Sequence, residues 1–231
     1  MTTLAIVFAA GLGTRANTDP PKQFATVRSK PVLAHTLQRL DSHPQIDAIY
    51  LVAPAAHLAQ AAALATPKVR QVVPGGDSAH ASIICGLEAA RPDASDDDIV
   101  LFHDGVRPVI DAATITRCVA SVRDFGSAIT SIPAYETVAE SSDGEWVDSV
   151  TVRSQTYILQ APQAFRFGHA YALNQRAVAD QIVGQVVDQA ELNRRYGYRV
   201  HLVPGLRGNT KLTTAYDLEV FAALAEAGVY E

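Results

Sequence analysis

Two hydrophobic rhythms alternate along the chain. The runs LAIVFAA (4–10), AIYLVAP (48–54), VRQVV (69–73), DIVLF (98–102) and GSAITSI (126–132) are short and nearly continuous. That is the pattern of strands buried on both faces. Between them, 31–43, 55–65, 79–90 and 112–125 carry apolar residues three and four apart, as amphipathic helices do. The alternation predicts an α/β fold with a mostly parallel sheet and a layer of helices on each face. Farther on, the pattern predicts a helix near 168–178, strands at 199–203 and 209–212, and a last helix over about 214–228.

The stretch 135–155 breaks the rhythm. It is polar, with Asp143-Gly144 between two alternating runs, which is a hairpin signal. It reads as an arm carrying Trp146, the single tryptophan of the chain. An isolated hairpin is marginal in water, so the arm is expected to pack on something else, either its own domain or a second subunit.

Composition narrows the function classes. The 231 residues, 48% hydrophobic, fit one large domain over 1–231. The net charge of −5 argues against a nucleic-acid partner. Cys85 and Cys118 lack metal-binding or CxxC spacing, so two free thiols are expected. The N-terminal apolar run is too short for a membrane span and has no basic flank, which points to a cytoplasmic protein without a membrane partner.

In a parallel α/β sheet, ligands sit beyond the carboxyl ends of the strands, and the chemically suggestive segments lie there. Ala9-Ala10-Gly11-Leu12-Gly13-Thr14-Arg15 follows the first strand. Its glycines let backbone N–H groups approach a phosphate. Gly11-x-Gly13-x-x-Ala16 satisfies the loose dinucleotide fingerprint, but Pro20-Pro21 breaks the required helix and the second strand ends in Ala53-Pro54 rather than an acid. A dehydrogenase is therefore disfavoured. Lys22, in Pro21-Lys22-Gln23-Phe24, adds a second cation to Arg15. Fixed cations and a metal ion are what the charge of a nucleoside triphosphate requires. Gly75-Gly76-Asp77 with Ser82 follows the third strand and could admit a base ring, although a plain turn and helix start explains it equally well. His103-Asp104-Gly105-Val106-Arg107-Pro108 follows the fourth strand. Asp104 there suits magnesium, and Arg107 can grip a phosphate in a planar fork. His103 has no catalytic partner and reads as structural. Arg153, Gln160-Ala161-Pro162-Gln163-Ala164-Phe165 and Asn209-Thr210-Lys211-Leu212-Thr213-Thr214 complete the set.

In this order and spacing the segments resemble the family of 2-C-methyl-D-erythritol 4-phosphate and D-ribitol-5-phosphate cytidylyltransferases, across nearly the whole chain. The resemblance implies a three-layer Rossmann-like nucleotidyltransferase fold, a mixed, mostly parallel sheet and a homodimer joined through the β-arm. It implies that Ala9, Ala10, Gly11, Gly13, Gly76, Asp77, Ser82 and Gly105 hold CTP. Arg15, Lys22 and Lys211 would neutralise the triphosphate, and Asp104 would organise Mg2+. Arg107 would bind the polyol phosphate, together with Thr137 and Arg153 reaching from the neighbouring subunit's arm. Some positions depart from the family pattern: Ala79 stands where an arginine is usual, Ala16 replaces a methionine, and Val187-Asp188 replaces a Thr-Asp pair. The arm segment 136–140 lacks the lysine usual in methylerythritol enzymes, and ETVAESSDGEWVDSV and TTAYDL lean to the ribitol branch, whereas the AAG of the first loop leans the other way. Three other readings remain: a methylerythritol-phosphate enzyme of isoprenoid biosynthesis, a sugar-1-phosphate nucleotidyltransferase using another triphosphate, and a degenerate nucleotide-binding member.

Overall fold

The computed structural model describes residues 1–11 and 21–229. Strands in chain order are β1 (Thr3–Phe8), β2 (Thr26–Val27), β3 (Lys30–Pro31), β4 (Ala48–Ala53), β5 (Val69–Pro74), β6 (Ile99–Asp104), β7 (Ser127–Pro133), β8 (Ala139–Glu140), β9 (Ser149–Val150), β10 (Tyr157–Arg166) and β11 (Leu202–Pro204). Helices are α1 (Val32–Asp41), α2 (Leu58–Ala62), α3 (Ala79–Ala90), α4 (Ala112–Phe125), α5 (Phe167–Ala179), α6 (Gln189–Arg195) and α7 (Ala215–Glu226).

The main sheet runs β11-β7-β10-β6-β1-β4-β5. All neighbours pair in parallel except β10, which is antiparallel to both β6 and β7. Alternate residues of β1 serve opposite layers, as strand geometry requires. Ala5 and Val7 pack with Leu33 and Leu37 of α1 and with Val119 and Val122 of α4. Leu4 and Ile6 pack with Ile83 and Leu87 of α3 and with Phe167 and Ala170 of α5. Gly86 of α3 explains that closeness: a Cβ there would overlap Ile6 Cγ2 and lie 3.1 Å from Val52 Cγ2. Among the described residues, no helix is long and apolar enough to cross a membrane. Both cysteines are free, and burial pushes the Cys118 thiol up to about 11.

The expected hairpin forms as β8 and β9, with Gly144 in the left-handed region (φ 77°) and Asp143 Oδ1 accepting from the N–H of Glu145 and Trp146. Several elements differ from expectation. β10 was not foreseen as a strand, because Pro162 argues against a central position. The sheet accommodates it with a register shift between Leu159 and Gln163, so Pro162 sits where no ladder bond is needed. α6 was also unforeseen. The helix expected over 55–65 shortens to a 3-10 turn plus α2. No strand forms at 209–212; Leu212 instead donates its N–H to the Val106 carbonyl at 2.9 Å, pinning that segment beside the end of β6.

Candidate active site

A cavity of about 750 Å³ opens at the carboxyl ends of β1 and β6. One wall is the turn after β1. Ala9 donates its N–H to the Val52 carbonyl, so that group belongs to the sheet and is not offered to a ligand. Gln23 Nε2 donates to the carbonyls of Ala9 (2.8 Å) and Gly11 (3.3 Å), fixing which way this turn faces. A second wall is the start of α3. A Cβ on Gly75 would come 2.5 Å from Ala10 Cβ and 2.8 Å from Ser82 Oγ, so only glycine lets these two loops meet. Ser78 caps α3 by accepting from Ala81 N, and Ser82 Oγ donates to the Ser78 carbonyl at 2.9 Å.

The charged centre lies at the end of β6. Asp104 Oδ1 accepts from Lys211 Nζ at 2.7 Å, and its Oδ2 accepts from Arg107 Nε at 2.9 Å. Burial alone would raise the Asp104 pKa; the two cations outweigh it and hold the carboxyl down to about 2. Arg107 Nη1 also donates to the Asn209 carbonyl, and Asn209 Nδ2 donates to the Ala161 carbonyl, each at 2.7 Å. The bulged strand, the 209–212 segment and Asp104 thus form one frame. Lys22, only 8% exposed, lines the same cavity from the 3-10 turn Lys22–Phe24. His103 is fully buried, donates Nε2–H to the Arg107 carbonyl, and is held neutral by burial, which lowers its pKa to about 4. It is structural, as expected.

A third wall comes from two segments that the sequence marked without giving their residues a role. Gln160, Gln163, Asp188 and Gln189 all line the cavity. Gln163 Nε2 donates to Asp188 Oδ2 at 2.9 Å and Gln163 Oε1 accepts from Ala190 N at 3.0 Å, joining β10 to α6. Asp188 Oδ1 caps α6 by accepting from Glu191 N. The pair Asp188…Glu191, three apart before an apolar residue, was the available signal for this helix start.

Comparison with known proteins supports the cytidylyltransferase reading. The family described as IspD, 2-C-methyl-D-erythritol 4-phosphate cytidylyltransferase, matches residues 3–229. The chain belongs to this cytidylyltransferase family. A ribitol-5-phosphate cytidylyltransferase of Streptococcus agalactiae serotype V is 36% identical over 98% of this chain and 96% of its own length. A 2-C-methyl-D-erythritol 4-phosphate cytidylyltransferase of Geotalea uraniireducens is 38% identical, over 98% and 96%. The crystal structure of 4-diphosphocytidyl-2C-methyl-D-erythritol synthase from Anaerococcus prevotii superposes with a TM-score of 0.84 at 26% identity, covering 97% of this chain and 96% of that one.

The site residues expected of a cytidylyltransferase fall into four groups. Ala9, Ala10, Gly11, Lys22, Gly76, Asp77, Ser82, Asp104, Arg107 and Lys211 line one cavity. Gly105 does not. Its N–H donates to the Phe8 carbonyl, its carbonyl accepts from Thr36, and a Cβ would press on Leu33, so this glycine serves strand-to-loop packing. Thr137 and Arg153 lie exposed on the arm, outside the cavity of their own chain. Gly13 and Arg15 lie outside the described residues. Among the described residues no three His, Cys, Asp or Glu side chains converge as a metal cage. Asp104 remains a suitable hard donor for Mg2+, since each oxygen accepts one bond and keeps a second lone pair. An ion there would take its other ligands from phosphate oxygens, which is how Mg2+ commonly binds.

Proposed function

We propose that the chain, acting as one catalytic unit over its whole length, transfers CMP from CTP to D-ribitol 5-phosphate. An oxygen of the ribitol phosphate attacks the α-phosphorus of CTP in line. The bond from that phosphorus to the bridging oxygen breaks, and pyrophosphate leaves with the electron pair. The nucleophile is already an anion, so no strong general base is required. The demand is to align two mutually repelling anions and to neutralise the charge that builds on the phosphates.

The observation that carries this reading is the placement of Lys22, Arg107 and Lys211 around one cavity with Asp104 between two of them. Asp104 holds the Lys211 ammonium and the Arg107 guanidinium in position before substrate arrives, which lowers the cost of reorganisation. Lys22, and Arg15 by its place in the same loop, are assigned to the triphosphate. Arg107 is assigned to the polyol phosphate. Asp104 together with CTP phosphate oxygens would hold Mg2+, which supplies further charge neutralisation when bound. The turn Ala9–Gly11 and the Gly76–Ser82 segment are assigned to the cytidine and phosphates.

The arm supports a homodimer. Trp146, Val147, Val150 and Val152 are 58–74% exposed. Thr137 and Arg153 are exposed on the same arm and are assigned to the partner's polyol phosphate. The ribitol assignment rests on the arm segment 136–140, which has no lysine, and on the relatives named for ribitol 5-phosphate. The test is pyrophosphate release from CTP and Mg2+ with a panel of D-ribitol 5-phosphate, 2-C-methyl-D-erythritol 4-phosphate and glycerol phosphate. The highest kcat/KM is expected for ribitol. A preference for methylerythritol phosphate would move the protein to the isoprenoid branch. No release with any acceptor would make it a degenerate nucleotide binder.

A further inference from the structure

Three buried polar side chains join α3, α5 and α6. His80, Asn174 and Gln189 are each 1% exposed or less. Asn174 Nδ2 donates to the Ala170 carbonyl and to Gln189 Oε1, each at 2.8 Å. A backbone carbonyl only accepts, so the amide orientation is fixed and Asn174 Oδ1 is the atom turned to His80. That oxygen accepts from His80 Nε2 at 2.9 Å and from Gln189 Nε2 at 3.3 Å. Asn174 thus fills all of its hydrogen-bonding capacity, two donors and two lone pairs.

The network ties two walls of the cavity together. On α3, Ala79, Ser82 and Ile83 line the cavity, while His80 turns into the network. The first turn of α6 belongs to the third wall and is held from two sides. Gln163 Oε1 accepts from Ala190 N, and the Gln189 amide is locked to Asn174 at both ends. The loop before α6 passes the cap of α3 directly, since a Cβ on Gly184 would lie 3.9 Å from Ser78. α6 has seven residues, too few to be stable alone, so these ties set where it sits. Stability does not by itself call for polar groups here. Replacing every partner of a buried hydrogen-bonded set by apolar groups of similar shape is often nearly neutral. What the set adds is a single geometry: apolar contacts can slide, whereas each donor must meet its acceptor at one distance and angle.

We infer that His80 and Asn174 are positioning residues for the nucleotide: acting through Gln189, they fix the spacing between the α3 and α6 walls and so the width of the slot that takes the cytidine. Neither side chain lines the cavity, so the effect reaches the ligand only through the walls they hold. The inference rests on the assignment of the Gly76–Ser82 segment to the cytidine made above. The charged centre around Asp104 is built from other segments and is not touched by the network. Loosening the network should therefore act on the affinity for CTP and spare the chemical step.

The experiment measures CTP binding by calorimetry and the kinetics of pyrophosphate release in the full chain. His80→Leu removes the donor to Asn174 and should weaken CTP binding about fivefold, with a matching rise in the KM for CTP and kcat within about twofold. His80→Gln supplies an amide donor in its place and should bring the affinity back to within about twofold of the wild type. The triple variant His80→Leu, Asn174→Leu, Gln189→Leu replaces the whole network by apolar groups. Its urea midpoint should stay close to that of the wild type while CTP binding weakens about tenfold or more. Unaltered CTP affinity in His80→Leu, or a fall in kcat at unaltered affinity, would overturn the inference. So would a triple variant that does not fold, because the network would then be a requirement of stability. Ser82→Ala, in the wall itself, tests the cytidine assignment in the same titrations, so a failure of that reading is told apart from a failure of the network.

Discussion

Asp104 has both carboxylate oxygens paired within its own chain, whereas Trp146, Val147, Val150 and Val152 on the arm are left without apolar cover in theirs. The cleft is assembled from distant segments that interlock: β6 supplies the acid, 209–212 supplies the lysine, and β10 supplies the carbonyl that anchors Asn209. The arm is assembled from neighbours in sequence, and its two short strands pair only with each other. The difference teaches where each function is completed. Charge preorganisation is finished inside one chain, because an unpaired buried carboxylate would cost several kcal/mol. The apolar arm is finished only against a second surface, which is the physical basis for the proposed dimer.

The largest effect should come from the cleft. Lys22→Ala is expected to lower kcat about a hundredfold or more, as loss of a preorganised charge partner does elsewhere, while sedimentation still reports a dimer. Arg15→Ala should act similarly if its loop delivers it to the triphosphate. Near-normal turnover in both folded variants would defeat the charge-neutralisation reading. A smaller loss is expected from the arm: Trp146→Asp combined with Val150→Asp should yield a monomer by sedimentation and lower kcat/KM about tenfold, mostly through a raised KM for the polyol phosphate. A monomer with unaltered kinetics would separate Thr137 and Arg153 from the site.

The smallest effect tests the support behind the third wall. His80 on α3 is fully buried; its Nε2 donates to Asn174 Oδ1 at 2.9 Å, and Asn174 Nδ2 donates to Gln189 Oε1 at 2.8 Å. Burial lowers the His80 pKa below 6.5, more than its hydrogen bond to Asn174 restores. The unfolded chain therefore takes up the proton first, and stability falls as pH drops through 6.5. His80→Gln should shrink the difference in urea midpoint between about pH 7.5 and about pH 5.5. An unchanged difference would mean that other groups dominate acid sensitivity.

Much of this was readable in one dimension. The strands seen as β1, β4, β6 and β7 announced themselves as nearly continuous apolar runs, because a strand buried on both faces has little polar side to show; β5, expected to be buried in the same way, is instead an edge strand with Arg70 and Gln71 exposed. Lys22, Asp104 and Arg107 stood out because strand-end loops in such sheets gather chemistry. β10 was hidden by Pro162, whose cost depends on a bulge that only neighbouring strands create. The packing role of Gly105 was hidden for a related reason. A glycine before a motif arginine resembles a phosphate contact, yet its neighbours Phe8, Leu33 and Thr36 come from elsewhere in the chain.

The sequence by itself determined the layered α/β plan, the glycine turn after β1, the arm and the family, since each depends on local pattern or on ordered motifs. The tertiary structure alone decided that Lys211 would meet Asp104 across 107 positions, that Gln163 and Asp188 would close the cavity, and that His80, Asn174 and Gln189 would form one buried network. Periodicity reports which face of a segment is buried. Which segment lies opposite is fixed by packing, and packing brings together residues whose separation along the chain carries no information about their distance in space.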